Sequence, residues 1–119
     1  MKTLVLGASP NPERYSYLAV QRLVNNGHET VAVGIRKDSF IEGLPILLGQ
    51  PQVRDVHTVT LYLNPTRQEA YYNYLLSLKP KRVIFNPGTE NAALIKLLKE
   101  NEVEPVIACT LVMLSTGQY

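Results

Sequence analysis

The residues of this chain with the clearest capacity for chemistry are Gly7-Ala8-Ser9, Arg14 and the basic pair Arg36-Lys37. That chemistry is the holding of phosphate. Gly7 can turn the backbone tightly, the Ser9 hydroxyl can donate to a phosphate oxygen, and Arg14 is a natural charge partner for the same group. The loop is not a GxGxxG fingerprint, because Ser9 and Pro12 stand where the second and third glycines would be. Read blandly, it is a tight turn capped by Ser9, with Arg14 in solvent. The basic pair shifts the balance. Folds that bind NAD usually place an acid at the end of the second strand for the ribose hydroxyls. Here Val33-Gly34 is followed by Ile35-Arg36-Lys37, which suits a ribose that carries a phosphate. Taken alone, the pair would be two solvated surface charges.

Two further loops share a pattern, Asn64-Pro65 and Asn86-Pro87-Gly88-Thr89. Asn before Pro is an ordinary helix start. Both asparagines are nevertheless expected to face a cleft with free amides, and Gly88 permits close backbone approach. Catalytic groups are scarce. Glu90 at a helix start serves the dipole. His28 and His57 are expected at the opposite end of the sheet from any cleft. Ser9 has no neighbouring His or Lys and no Gly-x-Ser-x-Gly elbow. Cys109 ends the last strand near the cleft, where an inert buried thiol is the commoner outcome. No catalytic residue is assigned. Two His and one Cys without ligand spacing leave no zinc site.

Composition narrows the classes. The 119 residues are enough for one domain with a real core. Hydrophobic residues are 45% and charged residues 18%, which argues against disorder. A net charge of +2 is too small to imply nucleic acid. No apolar run approaches the roughly 20 residues of a membrane span, and no signal layout opens the chain. A lone cysteine excludes an internal disulfide and makes a reducing cytoplasm the default.

These loops must be positioned by an alternation of strands and helices. Apolar runs rich in branched residues occur at Thr3–Leu6, Thr30–Val33, Thr58–Leu63, Arg82–Phe85 and Pro105–Ala108, as in strands buried on both faces. A helix begins between Pro12 and Ser16, with Asn11 or Ser16 as its cap, and stops at Asn26-Gly27. Tyr15, Leu18, Ala19, Leu23 and Val24 form its buried side. A second carries the capping box Thr66-Arg67-Gln68-Glu69 and ends at Lys79-Pro80. A third runs from about Glu90 to Asn101, and Leu111–Leu114 is short and helical. The segment Gly34–Val56 has no convincing helix and reads as mostly loop, with a short strand near Leu44–Leu47. The expected fold class is α/β: a three-layer sandwich with a parallel sheet of about five strands, the first one central. In such sheets ligands sit beyond the carboxyl ends of the strands, where the strand order reverses.

Gly7-Ala8-Ser9, Pro12, Arg14, Ser16-Tyr17, Gly27-His28 before a Val-rich strand, and Ile41-Glu42-Gly43 together resemble the small stand-alone CoA-binding proteins. These are similar to the nucleotide-binding domain of the succinyl-CoA synthetase alpha subunit. The resemblance runs in order over most of the chain. Asn86-Pro87-Gly88 is close to the family's Gln-Pro-Gly ending, whereas Cys109-Thr110 onward is less typical. It implies a Rossmann-like fold and a cofactor, coenzyme A or an acyl-CoA. By the same resemblance, Gly7, Ala8, Ser9, Arg14, Tyr15 and Ser16 would hold the pyrophosphate. Arg36 and Lys37, after Gly34, would lie near the adenosine phosphate. Tyr62, Leu63, Asn64, Asn86 and Gly88, with Pro87, would line the adenine or pantetheine path. The synthetase reaction needs a phosphorylated His on a further domain, which this chain lacks.

The leading expectation is therefore a small cytoplasmic binding module for CoA. Its partner is a small molecule, with no nucleic acid and no membrane. One alternative is a minimal NADP-dependent reductase, which shares the basic pair but lacks a substrate domain and a proton donor. Another is an interaction domain that keeps the fold without the ligand.

Overall fold

The computed structural model describes all 119 residues, Met1–Tyr119. The chain begins with a strand, β1 (Lys2–Ala8), and a helix, α1 (Tyr15–Asn25). Next come β2 (Glu29–Gly34), the two-residue β3 (Phe40–Ile41), β4 (Leu44–Leu48) and β5 (Val56–Leu61). A short helix α2 (Pro65–Gln68) passes through a 3₁₀ turn (Glu69–Tyr71) into α3 (Tyr72–Leu78). The chain continues as β6 (Arg82–Phe85), α4 (Ala92–Glu100), β7 (Glu104–Ile107) and α5 (Thr110–Ser115).

Seven strands form one sheet in the order β3-β4-β2-β1-β5-β6-β7. All pairs are parallel except β3 with β4. The five strands expected from the apolar runs are present and parallel, with β1 in the middle. Alternation along β1 divides the core. Leu4 and Leu6 pack with Val59, Leu61, Val83 and Phe85 under Leu75 of α3 and Leu94 and Leu98 of α4. Val5 packs on the other face with Ala32, Ile46 and the α1 residues Val20 and Leu23. Two helical layers thus sandwich the sheet. The pairing of β1 with β2 slips between Leu6 and Ala8, at Gly7 with φ +98°. That bulge turns Ala8 to the face of Val5 instead of the face of Leu6.

Several boundaries differ from the sequence reading. Helix α1 buries Ser16, Ala19, Val20 and Leu23, while Tyr15 is 72% and Val24 48% exposed. The true stripe is rotated from the expected one because Val20 sits over β1 and β2. The capping box at Thr66 does not form. Asn64 caps α2 instead, accepting from the Arg67 N–H at 2.9 Å, since Pro65 at the first helical position needs no acceptor. Asn91, not Glu90, caps α4.

The segment after β2 holds more structure than a loop with one strand. Glu42 (φ +48°) and Gly43 (φ +87°) make a two-residue turn of the kind that closes hairpins, joining Ile41 to Leu44. The hairpin tucks Ile41 and Ile46 into the core and extends the sheet as β4 beside β2.

Candidate functional site

The strand order reverses across β1. Chain flow leaves β1 for β2 and β4 on one side, then returns to β5, β6 and β7 on the other. Loops leaving the carboxyl ends of β1, β2, β5 and β6 therefore surround one opening, a cleft of about 550 Å³.

Thirteen of the expected site residues line this cleft: Gly7, Ala8, Ser9, Arg14, Tyr15, Ser16, Gly34, Arg36, Tyr62, Leu63, Asn64, Pro87 and Gly88. Val33, Ile35, Arg67, Tyr71 and Thr89 line it too and were not anticipated. Arg67 and Tyr71 read as helix residues in the sequence, and nothing local says that the first turns of that segment lean over the opening. No acidic residue contributes to the lining.

Two expected residues are not brought there. Lys37 lies outside the lining, two residues beyond Ile35, where the chain bends away toward Asp38. Asn86 is buried, 2% exposed, and its amide is not free. Its nitrogen donates to the Thr60 hydroxyl at 2.6 Å and to the Leu61 carbonyl at 2.8 Å. Its oxygen accepts from the Thr110 N–H at 2.8 Å. Asn86 is thus a knot tying the end of β5 and the start of α5 to the end of β6, beneath the cleft floor. The Asn64 oxygen is likewise spent on its cap, although the residue itself lies at the surface of the cleft.

The first loop is organised from within. The Ser9 hydroxyl accepts from the Asn11 N–H at 3.2 Å, and the Asn11 side chain accepts from the Glu13 N–H at 3.0 Å. Pro10 and Pro12 have no N–H to satisfy. Helix α1 then starts without a side-chain cap, since Arg14 at the cap position makes no such bond. No backbone or side-chain acceptor takes the N–H groups of Tyr15 and Ser16. An uncapped helix start facing a cleft is favourable ground for an anion.

The glycines of the site hold the strands together. A Cβ on Gly34 would stand 2.2 Å from the Ala8 carbonyl oxygen, and one on Gly7 would stand 2.9 Å from the Tyr62 backbone. Gly88 has open space around its Cβ position and φ +90°. Its N–H is held by the Glu90 carboxylate at 2.7 Å, so Glu90 braces the turn after β6.

Tyr62 lines the cleft and also packs, partly buried, against the core cluster of Val5, Val20 and Ile46. Its hydroxyl is buried without a hydrogen-bond partner. The nearby hydroxyls of Thr60 and Thr110 are committed to each other at 2.7 Å. Burial pushes the Tyr62 phenol far above its ordinary range, and the neighbouring Cys109 adds to that. Cys109 is partly exposed and does not line the cleft. His28 lies tilted against the Tyr119 ring with centroids 4.9 Å apart, and His57 sits beside Thr58; neither lines the cleft.

Comparison with known proteins adds the family. The model of a CoA binding domain matches residues 1–115. The chain belongs to this CoA-binding domain family. The Rossmann-like fold of the family is the one described above. A crystal structure of a protein described only as uncharacterized superposes with a TM-score of 0.95 at 58% identity, covering 99% of this chain and 97% of that one. The protein "cell-free ID.343" from Thermus thermophilus gives a TM-score of 0.87 at 19% identity, covering 99% and 90%. A hypothetical protein from Pyrococcus horikoshii OT3 gives 0.84 at 24%, covering 97% and 81%. These last two share the fold. No curated protein matches the chain. No helix of this CoA-binding domain is long and apolar enough to cross a membrane.

Proposed function

We propose that the chain binds coenzyme A or an acyl-CoA in the cleft above β1, β2 and β5, as a small cytoplasmic module rather than as an enzyme. The observation that carries this reading is the meeting of Arg14, Arg36 and the uncapped start of α1 in one cleft with no acidic residue in its lining. The chain's one ion pair joins Lys2 to Glu29, so both guanidiniums are open to an incoming anion. Coenzyme A brings a pyrophosphate and a 3′-phosphate. The N–H groups of Tyr15 and Ser16, the Ser9 hydroxyl and Arg14 suit the first. Arg36, just beyond β2, suits the second, because that strand end lies beside the ribose in doubly wound sheets. Leu63, Pro87 and Gly88 offer the less polar wall that a pantetheine arm needs. Family membership supports the same ligand in general.

A minimal NADP-dependent reductase would use Arg36 in the same way. Against it, the lining contains no Asp, Glu, His or Lys to move a proton, and its tyrosines, Tyr15, Tyr62 and Tyr71, have no Lys or His in the lining to relay one. Non-denaturing mass spectrometry of the purified protein, followed by calorimetric titration with CoA and NADP, separates the readings. Micromolar binding of CoA with weak or absent NADP binding is expected. The reverse order, or no binding of either, would overturn the proposal.

A further inference from the structure

Resting on that reading of a CoA site, we propose that the cleft prefers acyl-CoA thioesters whose acyl group ends in a carboxylate, and that Arg67 recognises that carboxylate. The argument is one of charge and position. All the negative charge of coenzyme A lies in its nucleotide half; the pantetheine arm and the thioester are neutral. The cleft nevertheless holds three arginines. Arg14 follows β1 and Arg36 follows β2, on the side where a doubly wound sheet takes the nucleotide. Arg67 lies in α2, after β5, on the opposite side of β1. With β2 and β5 flanking β1, those two loops are two strand spacings apart, roughly 10 Å. The phosphates are thus served on one side, and the third cation stands where the neutral arm and its acyl group must run.

The surroundings of Arg67 fit that role. Its backbone N–H is fixed by the Asn64 side chain at 2.9 Å, so the residue is anchored at the start of α2. Its guanidinium pairs with no carboxylate of the chain. Leu63 and Tyr71, after β5, and Pro87, after β6, line the cleft from the same side of β1 and supply apolar surface for a short acyl chain. An arginine at the rim of such a surface, without an acid of its own, matches an acid that arrives with the ligand, and its planar fork meets a carboxylate with two parallel bonds. Because Arg67 is exposed, leaving it unmatched costs little. The effect is a preference among thioesters, not a requirement.

The test is calorimetric titration of the wild-type chain and Arg67→Gln with four thioesters: malonyl-CoA and glutaryl-CoA, and their uncharged length matches propionyl-CoA and pentanoyl-CoA. Free CoA is the reference. In the wild type, at least one dicarboxylyl thioester should bind roughly three- to five-fold more tightly than its match, the scale of one ion pair at an exposed site. In Arg67→Gln that ratio should fall to about one. Equal affinities within each pair in the wild type would overturn the inference and leave the CoA site standing. So would a substitution that weakens free CoA as much as glutaryl-CoA, since Arg67 would then hold a phosphate. Absence of any CoA binding would overturn the CoA site and this inference together.

Discussion

The side-chain nitrogen of Gln68 donates to the carbonyl of Thr89 at 2.8 Å, joining the helix after β5 to the loop after β6. The same nitrogen donates to the Leu63 carbonyl at 2.8 Å, and the side-chain oxygen accepts from Asn91 at 2.9 Å. Gln68 is fully buried, so these are the partners available to it and to the two carbonyls. Both Leu63 and Thr89 line the cleft, which makes Gln68 the clasp of its far wall. Gln68→Leu keeps the volume and strands two buried carbonyls, each costing about 1–3 kcal/mol. Urea denaturation should show a loss of roughly 2–5 kcal/mol in total, allowing for some relaxation. A loss below about 1 kcal/mol would mean that the loops hold without the clasp.

Asn64 and Asn86 look alike in sequence and should behave differently. Asn64→Ala removes one helix cap at the surface, worth about 1 kcal/mol. Asn86→Ala breaks three bonds around a buried residue, to Thr60, Leu61 and Thr110, and should cost about 2–4 kcal/mol. Thermal unfolding of both variants ranks them; equal shifts would contradict the knot beneath the cleft.

Arg36 and Lys37 should also separate. Arg36 lines the cleft and Lys37 does not. Arg36→Ala is expected to weaken CoA by about ten-fold while hardly changing dephospho-CoA, which lacks the 3′-phosphate. Lys37→Ala should change either ligand by no more than about two-fold. Calorimetry with both ligands decides. If Arg36→Ala weakens the two ligands equally, Arg36 does not read that phosphate.

Alkaline pH should destabilise the fold, in part through Tyr62. Burial raises its phenol above the ordinary 10.0, and the same holds for Tyr74 and Tyr119. Below the unfolded value both states keep their protons, and the stabilisation is fully present. As pH climbs past about 10, the unfolded chain releases protons that the folded chain still holds, so stability falls. Tyr62→Phe should flatten this decline. It should leave neutral-pH stability unchanged or higher, because the hydroxyl it removes is buried without a partner. Denaturant titrations between neutral pH and about pH 11 would reveal a steeper decline in the variant if Tyr62 were instead ionised in the fold.

Much of the architecture was legible in the sequence because it is encoded locally. Short runs rich in branched apolar residues favour strands, and those at Thr3, Thr30, Thr58, Arg82 and Pro105 all joined the parallel sheet, although the last is an edge strand with Ile107 65% exposed and not a strand buried on both faces. Once the strands alternate with helices, topology sends their C-terminal loops to one end. That is why Gly7–Ser9, Arg14, Arg36 and Gly88 could be placed at a common opening from their positions alone. The turn at Glu42-Gly43 is only half marked in the sequence, by Gly43, because Glu seldom takes the positive φ that Glu42 adopts.

Tertiary structure decided the direction and the partners of the side chains. Asn86 was expected in the cleft, but its acceptors and donor belong to Thr60, Leu61 and Thr110, each at least 24 residues away in sequence. Gln68 reads in sequence as part of a capping box, and only the approach of the β6 loop gives its amide the Thr89 carbonyl. Arg67 and Tyr71 line the opening although they belong to the helical segment that Asn64 caps, a placement set by how that segment packs across the sheet end. Strand pattern and loop position are carried by neighbours in the chain. Which polar group is spent inside, and which is left for a ligand, depends on groups that meet only after folding.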